Sequence, residues 1–368
     1  TDDMNNPFFS EIGDFHVGAG SYEILWLDRE GINVSSIFRI PMTGGVIGLF
    51  DPAGQLVDSV EFSGQYLDVS YGSSQPGSDL WSYYIDPTPG TPNLTNGITN
   101  AVKPEGVQFS LTGGFYTGNQ VLQITAPSTE GVIRYTDDGS WPTESSLRYN
   151  GPIQIISTTV IRARLIVENL VPGDVTTHTF IINDSSTLPV VSLSTDPDNL
   201  FSDQWGIYVV GTNGSPGYCS EEERNFNNDW ERPINFEYYS NDGVQRVNQL
   251  TGTKIHGGCT RTAPNKSLAI FARNKYGDNR LKYPFFDSKE ISEFKTIILR
   301  NSGDDNRHSM LRDGYMQSLL VGRMDIDYQA YHPAVVFING VYWGVLNVRE
   351  KINEHYPASN YNLDPDEV

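Results

Sequence analysis

The chain has 368 residues, which is too long for one ordinary domain and indicates two or three. Asp and Glu number 45 against 25 Lys and Arg, and the resulting net charge of -20 repels nucleic acid and anionic lipid. Only 19% of the residues are charged, while Gly, Tyr, Phe and Pro are abundant, a profile typical of a turn-rich, mainly β protein. No apolar run is long enough for a transmembrane segment, and no signal-peptide pattern is present.

The first hundred residues alternate short apolar runs with turns. Strands are predicted at residues 22–27, 46–50 and 56–62, separated by the Asp-Pro-Ala-Gly turn at 51–54, and a Pro-rich tail follows at 87–93. Strands at this spacing predict a small β-sandwich. The run from residue 45 to residue 93 resembles a lamin-tail domain. The strand-rich opening of that family is missing, so the chain is expected to begin inside the domain, which covers residues 1–100 and is N-terminally incomplete.

Residues 101–185 form the second predicted unit. Strand patterns at 131–136 and 159–164 flank an Asp-Gly turn, a Pro-Thr pair and the segment Tyr-Asn-Gly-Pro-Ile at 149–153. This order of motifs resembles the small β-sandwich at the C-terminus of chitobiase and hexosaminidase enzymes. Its aromatic residues suit either a sugar-stacking surface or a packed core. We favour core packing and expect the unit to be a spacer.

The third predicted unit covers residues 186–368. The tight-turn signals at 241–243 and 339–340 lie between apolar runs and predict two β-hairpins. Between them, residues 309–324 are the best helix candidate, because Leu311, Tyr315 and Leu319 share one face and Ser309 can cap the start.

The most informative segment is residues 250–273, which read as strand, glycine-rich turn and strand. Gly257 and Gly258 permit backbone conformations that other residues resist and let a ligand approach closely. Lys266 enters the following strand. A glycine loop followed by a strand lysine is the arrangement with which kinases neutralise phosphate charge.

Several ordered motifs in this half of the chain resemble a CotH-type kinase domain. They are the Trp-Glu-Arg-Pro run at 230–233, the glycine loop with Arg261 and Lys266, the segments 299–301 and 311–313, and the run 337–350. The family is similar in fold to protein kinases, and its characterised members phosphorylate spore-coat proteins with ATP and a divalent metal. The predicted fold class is therefore mainly β and multidomain: two small Ig-like β-sandwiches followed by an α+β protein-kinase-like N-lobe.

The resemblance implies a nucleotide site made by Gly257, Gly258, Arg261, Lys266 and Glu350. Arg261 and Lys266 are expected to face one cleft beneath the glycine turn, with Glu350 at the hinge edge. Each residue has a structural alternative. Lys266 can simply cover the sheet edge, Arg261 can pair with a nearby acid, and Glu350 can be an ordinary surface acid.

Asp313, His256 and the two cysteines also leave alternatives open. Asp313 can stabilise the first turn of the predicted helix or pair with Lys266. His256 can be a hydrogen-bonded structural histidine or a base, and we favour the structural role. Cys219 and Cys259 can be two unrelated thiols or can form a disulfide that holds a loop in place. The extracellular setting implied by the resemblance leads us to expect that they are bonded to each other.

The catalytic and metal-binding carboxylates of a kinase are expected beyond Val368, since they belong to the second lobe. ATP with Mg²⁺ or Mn²⁺ is therefore expected only for the complete parent, and the chain itself should be inactive. No residue set has the spacing of a metal site, and the zinc-protease, nucleophile-elbow, Walker and dinucleotide motifs are absent from the sequence.

The sequence predicts a secreted or cell-surface multidomain protein. Its partner is a protein substrate or a cell-surface molecule, without nucleic acid, and its oligomeric state stays open. The alternative function is a non-catalytic extracellular scaffold or adhesion protein that uses the same domains for binding.

Overall fold

The computed structural model describes residues 4–6, 16–25, 40–67, 69–75, 77–99 and 102–364. The described residues are mainly β and fall into several sheets, which confirms the predicted fold class. Two compact units are present. One contains residues 1–105, 128–131 and 165–174, and the other contains residues 106–127, 132–164 and 175–368. None of the helices in the described part of the chain has the length and apolar character needed to span a bilayer.

In the described part of the first unit there are two antiparallel hairpins, formed by β1 (Gly45–Phe50) with β2 (Leu56–Phe62) and by β3 (Ser70–Ser73) with β4 (Trp81–Tyr84). The predicted strands at 46–50 and 56–62 are confirmed. Residues 22–25 are not a strand, and residues 26 and 27 lie outside the described part. The predicted turn between β1 and β2 is held by Asp51, whose side chain accepts hydrogen bonds from the backbone of Ala53 and Gln55.

The first part of the second unit is a small β structure. Its strands are β5 (Gln108–Phe109), β6 (Gly114–Tyr116), β7 (Gln120–Leu122), β8 (Ile124–Thr125), β9 (Val132–Thr136), β10 (Leu147–Arg148), β11 (Ile153–Ile155), β12 (Thr159–Ile166) and β13 (Thr176–Ile182). A five-stranded sheet has the order β10-β9-β12-β13-β6, and β11-β7 and β5-β8 form two smaller pairs. Leu122, Val160 and Phe180 are fully buried, so apolar side chains of these strands form a packed core.

The remainder of the second unit is a closed barrel with the strand order β14-β17-β18-β19-β22-β24-β23. The elements of this part are β14 (Val190–Ser194), α1 (Pro197–Phe201), β15 (Ser215–Gly217), β16 (Ser220–Arg224), β17 (Arg232–Tyr239), β18 (Gln245–His256), β19 (Ser267–Phe271), β20 (Leu281–Lys282), β21 (Glu293–Phe294), β22 (Thr296–Arg300), α2 (Arg312–Ser318), β23 (Tyr331–Ile338), β24 (Val341–Glu350) and α3 (His355–Tyr361). Parallel pairing of β14 with β23 closes the sheet, and leucine, isoleucine, valine and phenylalanine side chains fill its interior. The sequence did not predict this closure.

Both predicted hairpin turns are confirmed. Gly243 has a φ of 76° in the turn between β17 and β18, and Asn339 and Gly340 have φ values of 49° and 77° between β23 and β24. Positive φ angles at both central residues suit the Asn-Gly pair and match the twist of the flanking strands.

The predicted helix at residues 309–324 is wrong in length and in the face it buries. Helix α2 covers only Arg312–Ser318, and Leu311 and Tyr315 are half exposed. The buried position is Gly314, where a Cβ would overlap the ring of Tyr331. Ser309 does not cap the helix, because Leu311 occupies the N-cap position and the backbone N–H of Arg312 donates to Asp305 Oδ2. The helix therefore approaches the barrel through a glycine rather than through the predicted apolar stripe.

Candidate functional site

The glycine loop joins β18 to β19 and contains a 3-10 turn at Cys259–Thr262. Gly257 has a φ of 110°, and a Cβ at this position would lie 2.9 Å from the hydroxyl of Thr260. Both observations explain a glycine at 257. Gly258 has a φ of -101° and a ψ of -107°, and among the described residues only Tyr218 lies within 4 Å of its Cβ position. Neighbouring atoms therefore restrict the first glycine of the pair more than the second.

A disulfide ties this loop to the neighbouring hairpin. The structure joins Cys219, which lies between β15 and β16, to Cys259 in the 3-10 turn, with 5.1 Å between the two Cα atoms. The two cysteines are separated by 40 residues in the sequence. The covalent link therefore fixes one end of the glycine loop to a segment that is distant along the chain.

Arg261 holds the loop from the inside. Its Nε donates to the carbonyl of Gly257 at 2.5 Å, and its Nη1 donates to the carbonyls of Phe226 and Asn227 at 3.1 and 2.9 Å. Burial lowers the pKa of the guanidinium, and the charge of Asp229 opposes that effect. The predicted phosphate ligand thus bonds to backbone carbonyls in this structure.

Lys266 is 5% exposed, and its ammonium lies under the same loop. Nζ donates to the carbonyls of Arg261 and Ala263 at 2.7 and 3.1 Å and lies 4.1 Å from the centre of the Phe226 ring. Burial, helped by the charge of Arg224, lowers the pKa of Lys266 to about 8. Lys266 and Arg261 lie at the same loop, but their donors bind backbone carbonyls rather than facing an open cleft. Phosphate contact by either residue stays a prediction.

Glu350 lies in a separate cluster at the end of β24. Its carboxylate is 2.5 Å from Lys289 Nζ and accepts hydrogen bonds from the backbone of Ala330 at 2.9 Å and from Asn360 at 3.1 Å. Side chains alternate along a strand, so Glu350 points to the opposite face of β24 from Arg349. The structure does not bring Glu350 together with the side chains of the glycine loop.

Sequence reasoning missed a group of cations on the outer face of the barrel. In the strand register, Lys254 pairs with Ala269, Ala269 with Ile298, and Ile298 with Arg349. Directly opposed residues share one face of a sheet, and so do alternate residues of one strand. Arg349 on β24, Arg300 on β22 and His256 on β18 therefore share the outer face. We call this set, with Lys351 after β24, the basic face.

Two cations of the basic face and Arg261 of the glycine loop are close enough to act on His256. Burial, together with the nearby charges of Lys351, Arg300 and Arg261, lowers the pKa of His256 to about 4. The imidazole is therefore neutral at pH 7. A neutral ring among three cations, next to a glycine loop, is an environment that favours an anion. Lys351 could have been suspected from its position at the end of the last barrel strand.

Asp313 partly balances this charge. Its carboxylate pairs with Arg349, and its Oδ2 lies 3.2 Å from Arg300 Nε. Asp313 lies in the first turn of α2, as predicted. The alternative partner Lys266 is not used, since the Lys266 ammonium bonds to backbone carbonyls. The two pairs hold α2 against β22 and β24.

Two stretches of the chain match models of known protein families. Residues 253–368 match the model described as CotH kinase protein, and residues 111–177 match the model described as chitobiase/beta-hexosaminidase C-terminal domain. No curated protein matches the chain. The two corresponding resemblances are confirmed over these residues. The CotH match includes the glycine loop, all four residues of the basic face, and Glu350.

Proposed function

We propose that the chain belongs to a secreted or cell-surface multidomain protein with a CotH-like atypical protein kinase domain. That domain transfers a phosphoryl group from ATP, with Mg²⁺ or Mn²⁺, to a protein substrate. Residues 186–368 contribute its nucleotide-facing part. The observation that carries the proposal is the CotH kinase match over residues 253–368, which spans a glycine loop bordered by the basic face.

The charges of the site support nucleotide binding. The whole chain has a net charge of -20, yet Arg261, Arg300 and Lys351 are gathered around one neutral histidine. A cluster of cations on an acidic protein attracts a polyanion to the cluster, whereas the rest of the negatively charged surface repels it. The phosphates of ATP fit this role, because a phosphate binds guanidinium and ammonium groups strongly.

The domain organisation supports an extracellular location. The accessory β-sandwich match at residues 111–177 and the Cys219–Cys259 disulfide both fit a protein that functions outside the cytosol, where disulfides persist. We further propose that residues 1–100 are a lamin-tail-like domain and that residues 101–185 are a spacer before the kinase-like part at 186–368.

Isothermal titration of the chain with ATP and with adenosine, each with Mg²⁺ or Mn²⁺, tests the proposal. We expect weak binding of ATP and weaker binding of adenosine, because the phosphates supply the contacts to the basic face. Lys351 is the best residue to substitute, since its ammonium lies over the Phe271 ring at 4.7 Å and not in the carbonyl network of the loop. Lys351→Met should weaken ATP binding about tenfold, or ~1.4 kcal/mol.

Lys282→Met is the matched control, because it removes an equal charge from an exposed side chain that pairs with Asp278. This variant should bind ATP as the wild type does. Equal affinities for ATP and adenosine, or an equal loss of affinity in both variants, would contradict a phosphate site at the basic face. The absence of any nucleotide binding would favour the scaffold or adhesion function.

A further inference from the structure

Three side chains from distant segments meet at the end of β24. Lys289 Nζ lies 2.5 Å from Glu350 Oε2 and 2.7 Å from Asn360 Oδ1, and Asn360 Nδ2 donates to Glu350 Oε1 at 3.1 Å. We call these residues the Lys-Asn-Glu cluster. Its carboxylate contacts both the amine of the lysine and the amide nitrogen of the asparagine.

The lysine and the glutamate of the cluster are largely shielded from water. The side chains of Lys289 and Glu350 are 8% and 3% exposed. The rings of Tyr328 and Tyr356 each lie 4.6 Å from Lys289 Nζ. Burial holds the lysine and the glutamate in fixed contact with the amide and excludes bulk water from these contacts, so the reacting groups are already positioned for attack and proton transfer.

We propose that Lys289 and Asn360 form an intramolecular isopeptide bond and that Glu350 carries the protons of this reaction. Glu350 takes a proton from the Lys289 ammonium, and the free Nζ lone pair attacks Cγ of Asn360. A second Nζ proton passes through the carboxyl to Nδ2, the Cγ–Nδ2 bond breaks, and one ammonia leaves. The product is a secondary amide, and Glu350 ends protonated. No oxidant, reductant or other reactant is consumed.

The hydrogen bonds around the cluster suit this reaction in three ways. The Lys289 amine reaches the amide carbonyl that it attacks, and Glu350 contacts both the entering and the leaving nitrogen. The single N–H of the product has an acceptor in place, because the carbonyl of Tyr328 lies 2.9 Å from Nζ.

A cavity beside the cluster can accept the ammonia that leaves. A cavity of about 280 Å³ is lined by Lys289, Asn360, Tyr328, Tyr356 and Tyr361, among other residues. This volume is large enough to hold ammonia and to let it leave. A bond between Lys289 and Asn360 would link residues 71 positions apart and attach α3 to the segment that precedes β21.

Mass spectrometry of the folded, full-length chain tests the proposal after reduction of the disulfide. We expect an intact mass lower than the sequence mass by one ammonia. A proteolytic digest should contain one branched peptide that joins the segment around Lys289 to the segment around Asn360, with no cleavage by trypsin after Lys289. The branched peptide distinguishes the cross-link from succinimide formation at an Asn-Gly pair, which also releases ammonia.

Glu350→Gln keeps the side-chain volume but cannot accept the proton, so this variant should retain the full mass. Asn360→Ala should retain it as well, whereas Lys282→Met should still lose one ammonia. The wild-type digest decides the question even where a variant fails to fold. Unbranched peptides with a free Lys289 and an intact Asn360 from folded wild-type chain would overturn the proposal, as would a cross-link in Glu350→Gln equal to that in the wild type.

Discussion

Thr179 Oγ1 donates a 2.5 Å hydrogen bond to Glu237 Oε2, so a hydroxyl of β13 meets a fully buried carboxyl of the barrel strand β17. The same carboxyl accepts from the backbone of Thr179 at 3.1 Å, from Tyr239 at 2.8 Å and from Gln245 at 2.7 Å. These bonds favour the ionised carboxylate, yet burial outweighs them and raises the pKa of Glu237 to about 7.

Glu237 should make the protein less stable as the pH rises. Its folded-state pKa of about 7 lies above the ordinary value of 4.5. Its contribution to the free energy of unfolding is therefore complete below pH 4.5 and is lost as the pH rises through 7. We expect the free energy of unfolding of the wild type to fall by on the order of 2–3 kcal/mol relative to Glu237→Gln over this interval. Urea unfolding of both proteins at several pH values measures the difference.

His178 makes this comparison necessary, because its Nδ1 lies 3.9 Å from Glu237 Oε1 and it titrates in the opposite sense. Burial lowers the pKa of His178 to about 4, so its contribution is lost as the pH falls below 6.5. Both proteins contain His178, so most of its own contribution cancels in the difference between them, and the remainder reports Glu237 and its coupling to His178. Parallel stability curves for the two proteins would contradict the raised pKa.

Asp313 should be needed to keep Arg349 buried. Arg349 is 1% exposed and pairs with Asp313. Removal of one partner leaves a buried charge uncompensated. Because the Asp313 side chain is 35% exposed, water can partly replace it, and we expect Asp313→Asn to lower the free energy of unfolding by about 2 kcal/mol.

Asp174→Asn is a suitable comparison for Asp313→Asn. Asp174 pairs with Lys103, and its side chain is 80% exposed. The change should cost less than about 0.5 kcal/mol, since exposed ion pairs contribute little. If the two substitutions had equal effects in chemical denaturation, the Asp313–Arg349 pair would not be a stabilising contact between α2 and the barrel.

Substitution of Lys266 should show whether this residue stabilises the glycine loop or binds phosphate. Lys266→Met keeps most of the buried aliphatic stem but leaves the carbonyls of Arg261 and Ala263 without their donor. We expect a loss of about 1–2 kcal/mol in the free energy of unfolding. Unchanged stability together with weaker ATP binding would instead support the direct phosphate contact predicted from the sequence.

The disulfide should contribute to stability outside a reducing compartment. Replacement of Cys219 and Cys259 by Ser opens a link between residues 40 positions apart. We expect a loss of about 2–4 kcal/mol in thermal or urea unfolding. Two free thiols in the non-reduced wild-type protein, detected by alkylation and mass spectrometry, would contradict the bond.

Local signals in the sequence predicted local structure well. The turns at 241–243 and 339–340 were predictable, because Asp-Gly and Asn-Gly pairs adopt positive φ angles readily. The helix at 309–324 failed because periodicity cannot detect that Gly314 packs against Tyr331. Hydrophobic spacing reports which residues could share a face, but not which face another element will cover.

Long-range contacts were beyond prediction from the residues alone. Barrel closure requires Val190 to pair with Val335, and no local pattern encodes a partner so distant in the chain. The glycine loop was found because its glycines and lysine are adjacent in sequence. The basic face and the Lys-Asn-Glu cluster were missed because each is assembled from separate strands or loops.

Hydrogen–deuterium exchange of the full chain, with and without ATP and Mg²⁺, tests the nucleotide site most directly. With ATP and Mg²⁺ bound, we expect slower exchange of the backbone amides in the glycine loop at 257–262 and at the end of β22 near Arg300. Bound phosphates would shield these amides and order the loop. The same concentration of adenosine should give less protection. Protection confined to other segments, or identical exchange with and without ATP, would contradict a phosphate-binding role for the basic face.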